Sequence, residues 1–278
     1  MAAPAQWSAA VLARRRSGPY TVLTVSAPRV AERCRPGHYV SLSVAGSDSA
    51  MLLRRQAWIA TSSASGRDGG ALELIVDERE PGGARLAATD VGRSVDAIGP
   101  LGRPFSLPRE PVGVLLVATG VGAAPLIWLA AAVGARGCRS QFLFVGETEP
   151  FGLLEARRVS ASATVAEQGG AGAIAAHLSG DVAVVYSAGT PALERRIAAA
   201  VNATRPGLPH QSLVATPLVC AAGTCTACVV PVAGRDGVTR MVRACQDGPV
   251  FNADLVRWAD WGSIPADCHG AATTGNPA

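Results

Sequence analysis

The chain is 278 residues long, enough for two domains with separate cores, and 49% of it is apolar, which excludes wholesale disorder. Its net charge of +4 is carried by arginine alone against 21 acidic residues, and it is spread along the chain. So small and scattered a surplus argues against a nucleic-acid partner. No secretory leader is expected: in MAAPAQWSAAVLARRRSGPY the apolar stretch is short and broken, and Arg14–Arg16 follow it instead of preceding it. The cytoplasm is the expected compartment.

In chain order, residues 6–107 carry short β-prone runs: TVLTVSAP, HYVSLSV, AWIATSS and ALELIVDE. Gly, Pro, Ser and Asp separate them. Such spacing predicts a small antiparallel barrel. Gly113–Ala118 (GVLLVA) is instead continuously apolar, as a buried parallel strand should be. Thr119, Gly120, Gly122 and Pro125 interrupt the apolar stretch 112–133, so it reads as strand, glycine turn and helix (Leu126–Val133), with no membrane span. Strands at Ser140–Val145 and Val182–Ser187 and a helix at Ala192–Val201 continue the alternation of a parallel three-layer α/β domain. A cysteine-bearing region follows Pro206-Gly207, and the small polar residues after it read as a tail.

Cys220-x4-Cys225-x2-Cys228, with Cys245 after sixteen further residues, has the ligand spacing of a plant-type [2Fe–2S] loop. The small intervening residues let backbone N–H groups turn toward the sulfurs, and Gly223 accommodates a strained turn. Zinc is the alternative, since it too takes four cysteines, but zinc ribbons use two Cys-x-x-Cys knuckles and only Cys225 and Cys228 form one. Disulfides need an oxidising compartment. Cys34, Cys138 and Cys268 stand alone and read as buried or incidental thiols, and His38, His177, His210 and His269 fall in no acid–base motif, so no catalytic residue is assigned. Val229–Val232 and Val250-Phe251 suit either a docking surface or a local core.

Cys220-Ala-Ala-Gly-Thr-Cys-Thr-Ala-Cys228, followed by Arg243-Ala-Cys-Gln-Asp-Gly-Pro-Val-Phe251, closely resembles the C-terminal cluster domain of the electron-transfer subunits of NAD-linked (class 1B) bacterial dihydroorotate dehydrogenases, members of the ferredoxin-reductase-like superfamily. The resemblance extends from about Gln6 to Trp261. It implies an FAD-binding-like antiparallel β-barrel over 1–108, an NAD-binding-like parallel-sheet α/β domain over 109–207, a [2Fe–2S] domain over 208–262 and a disordered tail over 263–278. It further implies a hetero-oligomer with a catalytic, FMN-containing dihydroorotate dehydrogenase subunit, electrons passing through the cluster and FAD to NAD.

Other landmarks occur in the family's order. Pro36-Gly37-His38-Tyr39-Val40 resembles the barrel strand ahead of the flavin motif, and Gly99-Pro100-Leu101-Gly102 with Phe105 the closing barrel segment. Leu52-Leu53-Arg54-Arg55 looks like the start of the flavin motif, in which Arg55 is the implied ligand of the FAD pyrophosphate, a role its fork suits. Gln56, Ala57 and Trp58 complete that motif. Gly82, Gly83 and Ala84 correspond to the phosphate loop at a helix start, and Gly120, Gly122 and Pro125 to the loop that takes the nicotinamide nucleotide.

The chain departs from this pattern at three positions. Trp58 stands where the family has a small hydroxyl that reaches the flavin ring. Ala84 replaces the Ser or Thr of the phosphate loop, and Ala188-Gly189-Thr190-Pro191 lacks the family's Cys beside the nicotinamide. An altered or absent flavin site in a cluster-bearing subunit of another redox complex is therefore a second reading. A free-standing NAD(P)H:acceptor reductase and a zinc-stabilised binding module are others.

Overall fold

The computed structural model describes residues 4–44, 51–65, 69–166, 170–178, 180–216 and 218–268. His269 and the rest of the expected tail, 269–278, lie outside them.

The N-terminal half closes into a six-stranded barrel in the order β1-β2-β5-β4-β3-β6. The strands are β1 (Ala5–Ser17), β2 (Tyr20–Ser26), β3 (Tyr39–Leu42), β4 (Arg55–Ser63), β5 (Ala71–Asp77) and β6 (Ser94–Leu101), and helix α1 (Pro81–Ala87) crosses between β5 and β6. Closure leaves no open edge, and inward positions such as Val11, Leu23, Val40, Ala57, Ile59, Leu74 and Ala97 form one apolar core. The apolar stretch near the start, weighed above as a leader, is the front of β1, which pairs with both β2 and β6.

The chain then alternates: β7 (Gly113–Ala118), α2 (Ala123–Gly134), β8 (Arg139–Val145), α3 (Leu153–Val159), β9 (Ser162–Ala166), α4 (Gly170–His177), β10 (Val182–Gly189), α5 (Pro191–Thr204) and β11 (His210–Val214). Helix α2 begins three residues earlier than expected, because Pro125 sits in its first turn, where no intrahelical N–H is needed. The last part contributes β12 (Val229–Ala233), β13 (Thr239–Arg243), the short helix α6 (Ala244–Asp247) and β14 (Val250–Asn252). The central sheet has the order β14-β11-β10-β7-β8-β9, parallel except for β14, which returns antiparallel to β11. The expected boundary at 207/208 therefore precedes a strand that completes the central sheet: β11 pairs in parallel with β10 and covers its open edge.

Between β11 and β14 the cysteine segment builds its own small core from Val214, Cys228, Val230, Ala244, Cys245, Phe251 and Val256. Val230, Val250 and Phe251 are thus packing residues, and Val229 alone of that group is exposed. The tail expected from 263 does not begin there. Asp267 accepts hydrogen bonds from Arg257 (2.7 Å) and Thr239 (3.1 Å), Cys268 is buried against Thr239, and these contacts hold 263–268 to the domain. Among the described residues, no helix is long and apolar enough to cross a membrane.

One polar cluster lies inside the central domain. The Glu194 carboxylate accepts from the hydroxyls of Ser187 and Ser212, and Ser187 also meets His210 Nε2 at 2.7 Å. Burial pushes the Glu194 acid up to about 8 despite the two hydroxyl donors, and burial holds His210 down to about 3. Because the folded chain favours protonated Glu194, its contribution to stability is complete below the ordinary carboxyl range and is lost as pH rises toward 8. Wild type should therefore lose denaturant midpoint relative to Glu194→Gln between pH 5 and 8. Parallel pH profiles for the two proteins would contradict this.

Candidate functional site

The flavin motif lies on β4 and opens onto a cavity of about 450 Å³. Arg55, Gln56 and Trp58 line it, with Ile75 and Val76 of β5, Gly83 of α1, Val121 of the glycine turn, and Ala215, Thr216, Leu218 and Val219. Alternation along the strand sends Ala57 the other way, into the barrel core. The two arginines divide their work. Arg54 is held by Asp96 at 2.8 Å and by the carbonyls of Ser41 and Asp96. Arg55 donates only to the carbonyls of Leu53 and Arg54 among the described contacts, which leaves its charge available to an anion.

The Arg55 side chain lies directly over Gly82, in the space a Cβ would occupy. A Cβ on Gly83 would collide with the carbonyl oxygen of Asp77, so α1 can approach β5 only with glycine there. Ala84 is exposed, and its N–H is committed to the Glu80 carbonyl at 2.8 Å, so the missing hydroxyl opens no gap in the cavity wall. Two buried polar atoms at the cavity, Gln56 Nε2 and Thr216 Oγ1, have no protein partner. Orphaned polar groups of this kind fit a ligand with a hydrogen-bonding edge, such as an isoalloxazine. Trp58 does not fill the space. Its indole is buried edge-to-face against Tyr39 (centroids 5.9 Å, 73°) and forms one wall.

The glycine turn leaves the carboxyl end of β7. Its neighbours are β8 and β10, and β8 and β9 lie to one side of it and β10 and β11 to the other. That is the switch point where open α/β sheets take ligands. Gly120 adopts φ +53° and faces Tyr20 and Glu147, so its freedom is conformational. Gly122 answers to packing instead, since a Cβ would strike the Ala188 carbonyl of β10. Pro125 is buried in α2. Ala188 is itself fully buried, and Gly189, Thr190 and Pro191, where β10 passes into α5, bring no thiol.

Of the residues that wall the cavity, Leu218 and Val219 lead directly into Cys220. Around the cysteines the chain takes left-handed conformations at Ala221 (φ 56°), Gly223 (φ 82°) and Thr226 (φ 54°), which coil the loop tightly. Cys220 Sγ accepts the N–H groups of Ala222 and Cys225, both at 3.4 Å. Desolvation opposes its thiolate, but the N–H groups of Cys225, Ala222 and Thr224 outweigh it and bring the thiol down to about 6. Burial, followed by the neighbouring Cys228 thiol, pushes Cys245 up to about 12. Cys228 and Cys245 are buried, Cys220 is half-buried and Cys225 exposed. Among the described residues, no three His, Cys, Asp or Glu side chains are gathered closely enough to hold a metal ion as they stand. The donor set nevertheless has the chemistry of a cluster site: four thiols on two chain segments, with N–H groups already aimed at sulfur. Cys34 and Cys138 lie in the barrel and central cores, away from the cysteine domain.

The sequence reading missed Ile75, Val121, Thr216, Leu218 and Val219 as cavity walls, and it gave Tyr39 no role. Nothing in the local pattern singles out the first five, which meet only through tertiary packing. Tyr39 carried one signal: it follows Pro-Gly-His in the strand ahead of the flavin motif, and the register sets it opposite Trp58.

A closed six-stranded barrel, a switch-point sheet and an appended cysteine domain together make up a ferredoxin-reductase-like fold. A family model for the iron–sulfur cluster binding domain of dihydroorotate dehydrogenase B matches residues 216–257. The electron transfer subunit of dihydroorotate dehydrogenase B (NAD(+)) from Bacillus caldolyticus is 30% identical over 244 residues, 84% of this chain and 91% of the relative. The subunit of the same name from Listeria welshimeri is 28% identical, covering 80% and 87%. The structure of NADH-dependent reduced ferredoxin-NADP oxidoreductase shares the fold, with a TM-score of 0.74 at 22% identity over 90% of each chain. Phthalate dioxygenase reductase does so with a TM-score of 0.56 at 16% identity, over 87% of this chain and 77% of that one. This chain belongs to the family of electron transfer subunits of dihydroorotate dehydrogenase B.

Proposed function

We propose that the chain carries electrons between a dihydroorotate-oxidising, FMN-containing partner subunit and NAD, using a [2Fe–2S] cluster on Cys220, Cys225, Cys228 and Cys245 and FAD in the β4 cavity. The observation that carries this reading is proximity: Ala215, Thr216, Leu218 and Val219 wall the cavity, and Val219 immediately precedes the first cysteine. Bound there, a flavin supplies the exchange between the two-electron chemistry of a nicotinamide and the one-electron chemistry of a cluster. On this reading Arg55 grips the pyrophosphate over the Gly82–Gly83 cradle. Gln56 and Thr216 satisfy the polar edge of the ring, and Ile75, Val121 and Leu218 exclude water from it. Gly120 opens the switch point to the nicotinamide nucleotide. Four free thiols suit a reducing compartment, which supports a cytoplasmic working complex. The segments 1–108, 109–207 and 208–262 would then serve flavin, nucleotide and cluster, with β11 shared between the last two.

The test is anaerobic turnover with a co-expressed FMN-containing dihydroorotate dehydrogenase subunit. NADH should form from dihydroorotate and NAD only when both chains are present and associated. A chain that forms no complex with that subunit, yet passes electrons from NADH to artificial acceptors alone, would be a free-standing reductase.

A further inference from the structure

Tyr39 is buried at the junction of barrel, cavity and cysteine domain. Its single hydroxyl proton is shared between the backbone carbonyls of Ala221 (3.3 Å) and Cys245 (3.5 Å). These carbonyls belong to the two chain segments that carry the four cysteines, 182 and 206 residues away in sequence. On its other side the Tyr39 ring meets Trp58, whose indole forms the cavity wall. The strand register holds the two residues opposite one another, Tyr39 of β3 against Trp58 of β4. The surrounding chain packs closely on the phenol ring. A Cβ on Gly102 would come within 3.0 Å of the Tyr39 ring, and Arg103 N donates to the Gly248 carbonyl at 2.6 Å, so the end of the barrel is pressed onto the chain just after Cys245.

We propose that Tyr39 and Trp58 form a fixed aromatic bridge between the flavin cavity and the cysteine loops, with Tyr39 as the positioning residue that sets how strongly the two redox sites are coupled. The idea rests on the functional reading above. Single electrons pass between flavin and cluster, the flavin being oxidised as the cluster is reduced or the reverse. No bond is made or broken in the bridge, and neither aromatic residue changes oxidation state. Two consequences follow from the contacts. Removing the phenol hydroxyl frees both ligand-bearing segments from a common anchor and leaves two buried carbonyls without that donor. The hydrogen-bonded environment of the cluster, which sets its potential, changes with it. Trp58 also explains itself in this way: where the family pattern has a hydroxyl, this chain extends the aromatic contact from Tyr39 to the cavity surface.

The experiment uses full-length protein and the conservative variants Tyr39→Phe and Trp58→Phe. Iron and flavin are counted first; wild type lacking either would sink the functional reading itself, before the bridge is at issue. With both cofactors present at wild-type levels, Tyr39→Phe should shift the cluster's reduced EPR spectrum and midpoint potential. It should slow cluster reduction by NADH at least tenfold, while flavin reduction in the same stopped-flow traces stays unchanged. Trp58→Phe should slow cluster reduction without altering the EPR spectrum, because it touches the cavity side alone. If Tyr39→Phe keeps the wild-type spectrum, potential and cluster-reduction rate, the bridge is wrong and the functional reading stands. Loss of iron from a folded Tyr39→Phe would also overturn it, by making the contact one of cluster retention alone.

Discussion

Cys245→Ala is expected to abolish cluster binding and leave the barrel and central sheet folded. Cys245 is 2% exposed, lies against Cys228, and sits among Val230, Phe251 and Val256 in the small core of the cysteine domain. Three thiolates cannot complete the ligation of two irons, so iron content should fall from about two per chain to near zero. Alanine leaves no hydroxyl stranded in that core, and the loss therefore reports on ligation rather than on a buried polar group. Metal binding contributes to the stability of small metal-stapled domains. An early unfolding transition should accordingly appear in the variant and in iron-stripped wild type alike. Cys34→Ser, Cys138→Ser and Cys268→Ser should retain full iron, measured by colorimetric assay and by the visible spectrum. Wild-type iron in Cys245→Ala would mean that another residue completes the site.

The second large effect concerns the flavin. Arg55→Ala should weaken FAD binding by roughly 1.5–3 kcal/mol, about ten- to a hundredfold, the worth of hydrogen bonds to a charged group. Arg54→Ala should act differently. It breaks the 2.8 Å pair with Asp96 and two carbonyl contacts that hold β4 against β3 and β6, so stability should fall with a smaller change in affinity. The adjacent glycines separate ligand from scaffold in the same way. Gly82→Ala meets the movable Arg55 side chain first and should cost affinity, whereas Gly83→Ala meets the Asp77 backbone and should cost folding. Titrating apoprotein with FAD by flavin fluorescence, alongside thermal melts, distinguishes the four variants. Equal affinities for Arg55→Ala and wild type would remove Arg55 from the site.

How much of this was legible in the sequence differs by element. Alternation in TVLTVS and ALELIVD announced β2 and β5 nearly to the residue, and the unbroken GVLLVA marked β7, because burial on one or both faces writes itself into the pattern. Strand β1 was hidden: its apolar front is short and broken and Arg14–Arg16 follow it, so only its pairing with β2 and β6 reveals a strand. β14 was hidden for another reason, since a strand of three residues has no period to read. For the cysteines, spacing pointed to an iron–sulfur site with zinc as the alternative, because ligand geometry constrains spacing directly. The cavity was only half visible. Arg55 and Trp58 are named by the motif, but Thr216, Leu218 and Val219 reach the cavity from the far end of the chain, and no local pattern records that. The departure at Trp58 looked like a damaged flavin site in sequence. In the fold its indole packs on Tyr39 and the cavity beside it stays open.

The central claim is tested most directly by quantifying iron, zinc and extracted flavin in one sample of anaerobically purified protein whose visible spectrum has been recorded. About two irons per chain with FAD released on denaturation is the predicted result. Zinc with no visible absorbance, or iron with no flavin even after incubation with excess FAD, would contradict it.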